Sequence, residues 1–173
     1  IASGIGGKEY CSIKPTVTQN IINQTTLGTF SNAVTNKQDF TANPIVVELG
    51  STLDMNFTFA STNSKRVKVV VDWNQDGDFE DANEIVLASE SINGASYNGK
   101  FIGSSSVKIN QYFRMRVISE LNSTGPSTCG TIGTGEVEEY MIQVIQPSND
   151  LGLLSISNPS SSYCATNGST SLL

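Results

Sequence analysis

The sequence predicts an all-β protein, an antiparallel β-sandwich of jelly-roll or Ig-like type with a calcium loop between two strands. Three observations point there. Apolar and polar residues alternate at period two over several short runs, which is the signature of strands with one face buried. Gly, Asn and Ser separate these runs at short intervals, with no amphipathic helix, internal repeat or βαβ rhythm between them. Charged residues make up 15% of the 173, against about 25% in an average soluble protein. Ser, Thr and Asn supply about a third of the chain instead, a surface chemistry that suits a protein outside the cell.

The elements follow in order. Residues 1–9 are Gly-rich and read as a lead-in to a module spanning 10–146. Weaker strands are predicted over 26–31 and 44–49. Over 52–59, Leu53, Met55, Phe57 and Phe59 share one face, and over 66–73 Val67, Val69, Val71 and Trp73 do the same. That parity places Trp73, the single Trp, in the core. Further weak strands are expected at 84–89 and 97–102. Strong alternation returns over 112–118, where Phe113, Met115 and Val117 share a face, and over 137–145, where Tyr140, Ile142 and Val144 do. Pro147 to Asp150 form a break. Residues 147–173 read as a linker and the truncated start of a following Ig-like module.

Composition excludes several function classes. The chain has no histidine, so it holds neither a Ser-His-Asp triad nor a His-ligated zinc nor a His general base. A net charge of −6 argues against a nucleic-acid partner, which a basic patch would have to hold. No apolar run reaches the roughly 18 residues that a membrane span needs. The cysteines at 11, 129 and 164 match no CxxC metal pattern.

The sharpest feature is the run DWNQDGDFEDANE at 72–84, where six of the 16 carboxylates fall within 13 residues without a basic residue among them. Such crowding of like charge is unfavourable unless a cation compensates it. Oxygen donors at Asp72, Asn74 and Asp76, followed by Gly77 for the sharp turn, make the first half of a calcium loop. Oxygen ligands without His or Cys point to Ca²⁺ rather than to a transition metal. The second half departs from an EF-hand: position 12 is Asn83, Glu84 comes one residue later, and both flanks are β-like. The expected ligands are Asp72, Asn74, Asp76, Asp78 and Glu84, with Glu80 the rival late ligand. So many carboxylates on one loop favour a structural ion over a catalytic one.

A second acidic motif, Gly135-Glu136-Val137-Glu138-Glu139-Tyr140, completes a set of four. It is preceded by Tyr10-Cys11, by the acidic run at 72–84, and by RMRV at 114–117, and Cys129-Gly130 stands just before it. Together these resemble the GEVED domain, a module of secreted and cell-surface Bacteroidetes proteins, over about residues 10–145. Glu139 stands where the family pattern has Asp. The resemblance implies a β-sandwich appended to larger proteins, including metallopeptidases and adhesins, and it carries over no catalytic residue. Cys11 and Cys129, each beside a family motif, are then expected to form a disulfide in an oxidising setting. Cys164 is left with a partner beyond the chain. Glu136 and Glu138 share parity with Tyr140 and so fall on the inner face, where a carboxylate needs a partner; Arg114 and Arg116 are the expected ones.

The function expected is that of a non-catalytic, calcium-binding accessory or adhesion module of a larger secreted or cell-surface protein. Its partners would be other modules of the same polypeptide and a surface glycan or protein ligand. A carbohydrate-binding module is the alternative, and a small calcium-dependent hydrolase or lyase stands further off.

Overall fold

The computed structural model describes residues 9–19, 21–32 and 38–148. The expected module from Asp150 and the partner of Cys164 lie outside the described residues. Ten strands follow in order: β1 (Ile13–Thr18), β2 (Ile22–Leu27), β3 (Phe30–Ser31), β4 (Ile45–Glu48), β5 (Thr52–Phe59), β6 (Lys65–Val71), β7 (Ile85–Ala88), β8 (Ser96–Ile102), β9 (Gln111–Leu121) and β10 (Gly130–Ile145). Among the described residues no helix is long and apolar enough to cross a membrane.

The strands form two sheets, a sandwich as the alternation predicts. One sheet runs β1-β10-β9-β6-β7, with β4 also paired to β10; the other runs β3-β2-β5-β8. The strand β10 organises the first sheet. Its 16 residues pair antiparallel with β9 along one edge. Along the other edge it pairs in parallel with β1 through its first half and with β4 through its second. The run 26–31, expected as one strand, is a hairpin in which Gly28, at φ 57°, turns the chain between β2 and β3. Glycine takes that left-handed conformation without the Cβ clash other residues meet.

The four strongly alternating runs put their apolar faces inward. Met55, Phe57 and Phe59 of β5 and Phe101 of β8 meet Val67, Val69 and Val71 of β6, Phe113, Met115 and Val117 of β9, and Tyr140, Ile142 and Val144 of β10. Trp73 packs at the margin of this core, edge-on to Phe101 and Phe113 with centroids 6.3 and 5.1 Å away. The outer face of the larger sheet is covered too. There Ile118, Ile132 and Val137 form a second apolar cluster with Ile13.

Cys11 and Cys129 are joined, the pair implied by the family resemblance, with Cα atoms 5.6 Å apart. The bridge sits just ahead of β1 and β10, whose first pair is Ile13 with Gly130. It closes a loop of 118 residues, so in the chain-entropy account its main effect is on the unfolded state, on the order of 4–5 kcal/mol. Reduction, or Cys11→Ser, is expected to lower the urea midpoint accordingly. Equilibrium unfolding with and without dithiothreitol measures it.

Candidate metal centre

The acidic run connects β6 to β7, which are antiparallel neighbours, so it is the loop of a hairpin. Its two ends are pinned by backbone bonds: the Val71 amide donates to the Glu84 carbonyl at 2.8 Å, and the Asp72 amide to the Arg114 carbonyl at 3.0 Å. Within the loop, carboxylates accept from amides further along. Asp72 accepts from Asp76 at 3.2 Å and from Gly77 at 3.1 Å. Asp76 accepts from Asp78, and Asp78 from Glu80. The reversal at Gly77 has φ 97°, which accounts for glycine at the sixth position of the run.

This winding brings one carboxylate oxygen from each of Asp72, Asp76 and Glu84 within 4.8 Å of the others. Two ligands that share an ion at about 2.4 Å lie no further apart than that. The donor set is all oxygen, as hard cations require. A second group, also within 4.8 Å, comprises Asp76, Asp78 and Asp81. Asp76 belongs to both. Asn74 donates its side-chain nitrogen to Asp76 and Asp81, at 3.0 and 2.6 Å, while its oxygen accepts the Asp76 amide. Glu80 is exposed and belongs to neither group. Asp81 was not among the ligands expected; its place in the second group follows from the fold-back after Phe79, which periodicity does not reveal.

Asp72 and Glu84 are 0% and 1% exposed. Burial pushes the Glu84 carboxyl up to about 7; the charges of Asp72, Asp76 and Asp81 add to the rise, and the Asp81 amide opposes it. Glu84 also accepts the Trp73 amide at 3.2 Å, so it ties the end of the loop to its beginning. Phe79, 1% exposed, anchors the loop on the outer sheet face. It stacks on Tyr10 at 5.5 Å and lies under the Arg116 guanidinium at 4.6 Å. The Tyr10 hydroxyl is held protonated, by burial and then by its neighbour and hydrogen-bond partner Asp72.

The GEVEEY strand departs from expectation. Arg114 and Arg116 meet Glu139, at 3.0 and 2.6 Å, and not Glu136 or Glu138. The cause is the pleat: Phe113, Met115 and Val117 point into the core, so the arginines between them point out. Glu139 sits directly opposite Arg116 on that outer face. Arg116 also donates to the carbonyls of Thr128 and Cys11, at 2.7 and 3.0 Å.

Glu136 and Glu138 do lie on the inner face, each 3% exposed, and all their partners but Tyr140 come from the side of the opposite sheet. One oxygen of Glu136 accepts the amides of Ile21 and Ile22 at 2.7 and 2.8 Å. Glu138 accepts from the Thr25 hydroxyl at 2.9 Å, the Asn32 side chain at 3.3 Å and the Tyr140 hydroxyl at 2.8 Å. The Asn32 side chain donates to Tyr140 as well, at 2.7 Å.

Two predictions follow from these carboxylates. Glu136→Ala leaves two buried amides without an acceptor and is expected to cost about 2–5 kcal/mol, while Glu136→Gln keeps an acceptor oxygen and costs less; urea unfolding of the two variants compares them. Burial pushes the Glu138 carboxyl up to about 7 from 4.5, with Glu136 adding to the rise and the bonds from Tyr140, Thr25 and Asn32 opposing it. Between those values the folded state holds a proton that the unfolded chain has released. Stability therefore falls as pH rises through that window. Glu138→Gln is expected to reduce the slope of unfolding midpoint against pH between about pH 5 and 7, relative to the unaltered chain.

No curated protein matches the chain. Among solved structures, the sulfur carrier protein SoxY from Chlorobium limicola f thiosulfatophilum is similar at a TM-score of 0.38 and 8% identity, over 77% of this chain and 86% of that one. The model of the GEVED domain matches residues 66–143, from β6 through the acidic loop and β9 into the GEVEEY strand; Tyr10-Cys11 precedes the matched span. The family whose model matches is the one that the motifs at 72–84, 114–117 and 135–140 resemble.

Proposed function

We propose that this chain is a non-catalytic accessory module of a larger exported protein, made rigid by one structural Ca²⁺ in the β6–β7 loop. The observation that carries the reading is the convergence of Asp72, Asp76 and Glu84, two of them buried, with no basic side chain in the loop to balance them. Buried carboxylates are stable as anions only when paired or bound to a metal. Calcium would supply that charge, and Asp78 and Asp81 lie close enough to Asp76 to contribute. The burial of Glu84 and the exposure of Glu80 favour Glu84 as the late ligand. Export is supported by the disulfide, which persists in oxidising compartments.

The non-catalytic part of the reading is supported by the condition of the remaining acids. A carboxylate pair working on a glycoside needs a cleft between its members and free oxygens facing it. Glu136 and Glu138 are instead buried between the sheets, with bonds from Ile21, Ile22, Thr25, Asn32 and Tyr140. Glu139 faces two arginines.

Titration calorimetry with Ca²⁺ tests the proposal. Binding is expected in the unaltered chain, is lost in Asp76→Ala and Glu84→Gln, and is retained in Glu80→Gln. At a free calcium concentration about 100 times Kd, the ion stabilises the fold by about 2.7 kcal/mol, read as a rise in the thermal midpoint that chelator reverses. No heat and no midpoint shift at millimolar calcium would overturn it.

A further inference from the structure

The acidic loop does more than close a hairpin: it forms one wall of a groove of about 840 Å³, within the size range of small-ligand sites, about 300–1,000 Å³. Trp73 and Phe113 line it, with Asn83 and Ile85 on the side of the loop and Ile102, Lys108 and Gln111 on the side of the β8–β9 connection. We infer that this groove is a binding site for a neutral oligosaccharide, with Trp73 as its stacking surface and Asn83 and Gln111 as its hydrogen-bonding rims. The inference deepens the accessory-module reading and takes from it the calcium that would hold one wall.

The chemistry of the lining selects the ligand class. Trp73 is half-buried and fixed edge-on against Phe101 and Phe113, so it presents a preorganised aromatic surface to the groove. A sugar ring offers an apolar face of C–H bonds to such a surface and hydroxyls around its rim. Planar amides, which donate and accept side by side, match neighbouring hydroxyls. Asn83 and Gln111 are exposed amides, and Ser104, Ser105 and Ser106 add hydroxyls to the same lining. Lys108 is the single charged residue in the lining, and the carboxylates of the adjoining loop repel a polyanion. Ile85 and Ile102, 52% and 60% exposed at the rim, extend the apolar surface over which a chain of several sugars would lie.

The wall residues are also coupled to the proposed ion. Trp73 directly follows the proposed ligand Asp72, and its amide donates to Glu84. Asn83 directly precedes Glu84 and holds a left-handed φ of 73°. Calcium that fixes Asp72 and Glu84 fixes the stacking surface and one rim with them, so saccharide binding should weaken when calcium is withdrawn.

Because Trp73 is the only tryptophan, intrinsic fluorescence reads the groove directly. The probes are the neutral hexasaccharides of cellulose, xylan, mannan and starch, with polygalacturonate and a casein digest as anionic and peptide counterparts, each titrated with calcium and with chelator. Saturable change with at least one neutral hexasaccharide is expected, weakened about tenfold in the double variant Asn83→Gly, Gln111→Ala, as loss of two hydrogen bonds implies. Asn83→Gly removes the amide without straining its positive φ, and an unchanged thermal midpoint confirms that the variant folds. Response to none of the neutral sugars, response only to polygalacturonate or the casein digest, or equal affinity in the double variant each overturns the inference. Calorimetric calcium binding without any saccharide response sinks the groove and leaves the metal reading intact. Saccharide binding unaffected by chelator in a chain that shows no calcium heat does the reverse.

Discussion

Two backbone amides at the start of β2 converge on one carboxylate oxygen of β10, and the rest of the sandwich depends on that contact. Ile21 and Ile22 enter the core as the second sheet begins, and both of their amides donate to Glu136. An unpaired buried amide is unfavourable by about 1–3 kcal/mol, so the chain would not tolerate this entry without an acceptor placed between the sheets. Two residues on, Glu138 repeats the device through Thr25 and Asn32, and Tyr140 closes the network. The hydrophobic effect is non-directional, whereas hydrogen bonds from one sheet to the other fix distance and angle. The alternating acids of the GEVEEY strand thereby set how the two sheets register, while Glu139, facing out, fixes the arginines under the loop.

The acidic loop sits on the far side of those same arginines. Arg116 reaches the Cys11 and Thr128 carbonyls and covers Phe79, and the Cys11 amide donates to Gly77 at 3.3 Å. The disulfide, the arginine pair and the loop therefore share one patch of the outer sheet face. The motifs at 10–11, 72–84, 114–117 and 135–140 are far apart in the chain but assemble into two adjoining polar networks, one on each side of β10. That spatial closeness gives a physical reason for their occurring together.

Much of this was legible in the residues and some was not. The strands β5, β6, β9 and β10 announce themselves because one face of each is buried and the other is not, which writes the pleat into the sequence. The strand β1, IKPTVT, lies at a sheet edge with most of its side chains exposed, so no apolar period marks it. The parallel pairing of β1 and β4 with β10 is likewise invisible to alternation, which carries no strand direction. The arginine partners were misread for a reason available in the sequence itself. Arg114 and Arg116 alternate with core residues, so they lie on the opposite face from Glu136 and Glu138; only Glu139 has the matching parity. The separation of Glu84 from Glu80 needed burial, since both are acids a few residues beyond Gly77.

The position of the disulfide has a mechanical consequence. Tension applied to the two ends of the chain enters at Cys11, crosses the sulfur bridge to Cys129 and leaves along β10. Everything from Ser12 to Thr128 lies inside the covalent loop and is bypassed by the load. The acidic loop, the groove beside it and eight of the strands that follow β1 and precede β10 cannot be drawn out by pulling. Only β10 carries force, along its own backbone, which as a strand is already extended. Under stretch, the oxidised domain behaves as a short tether of nearly fixed length.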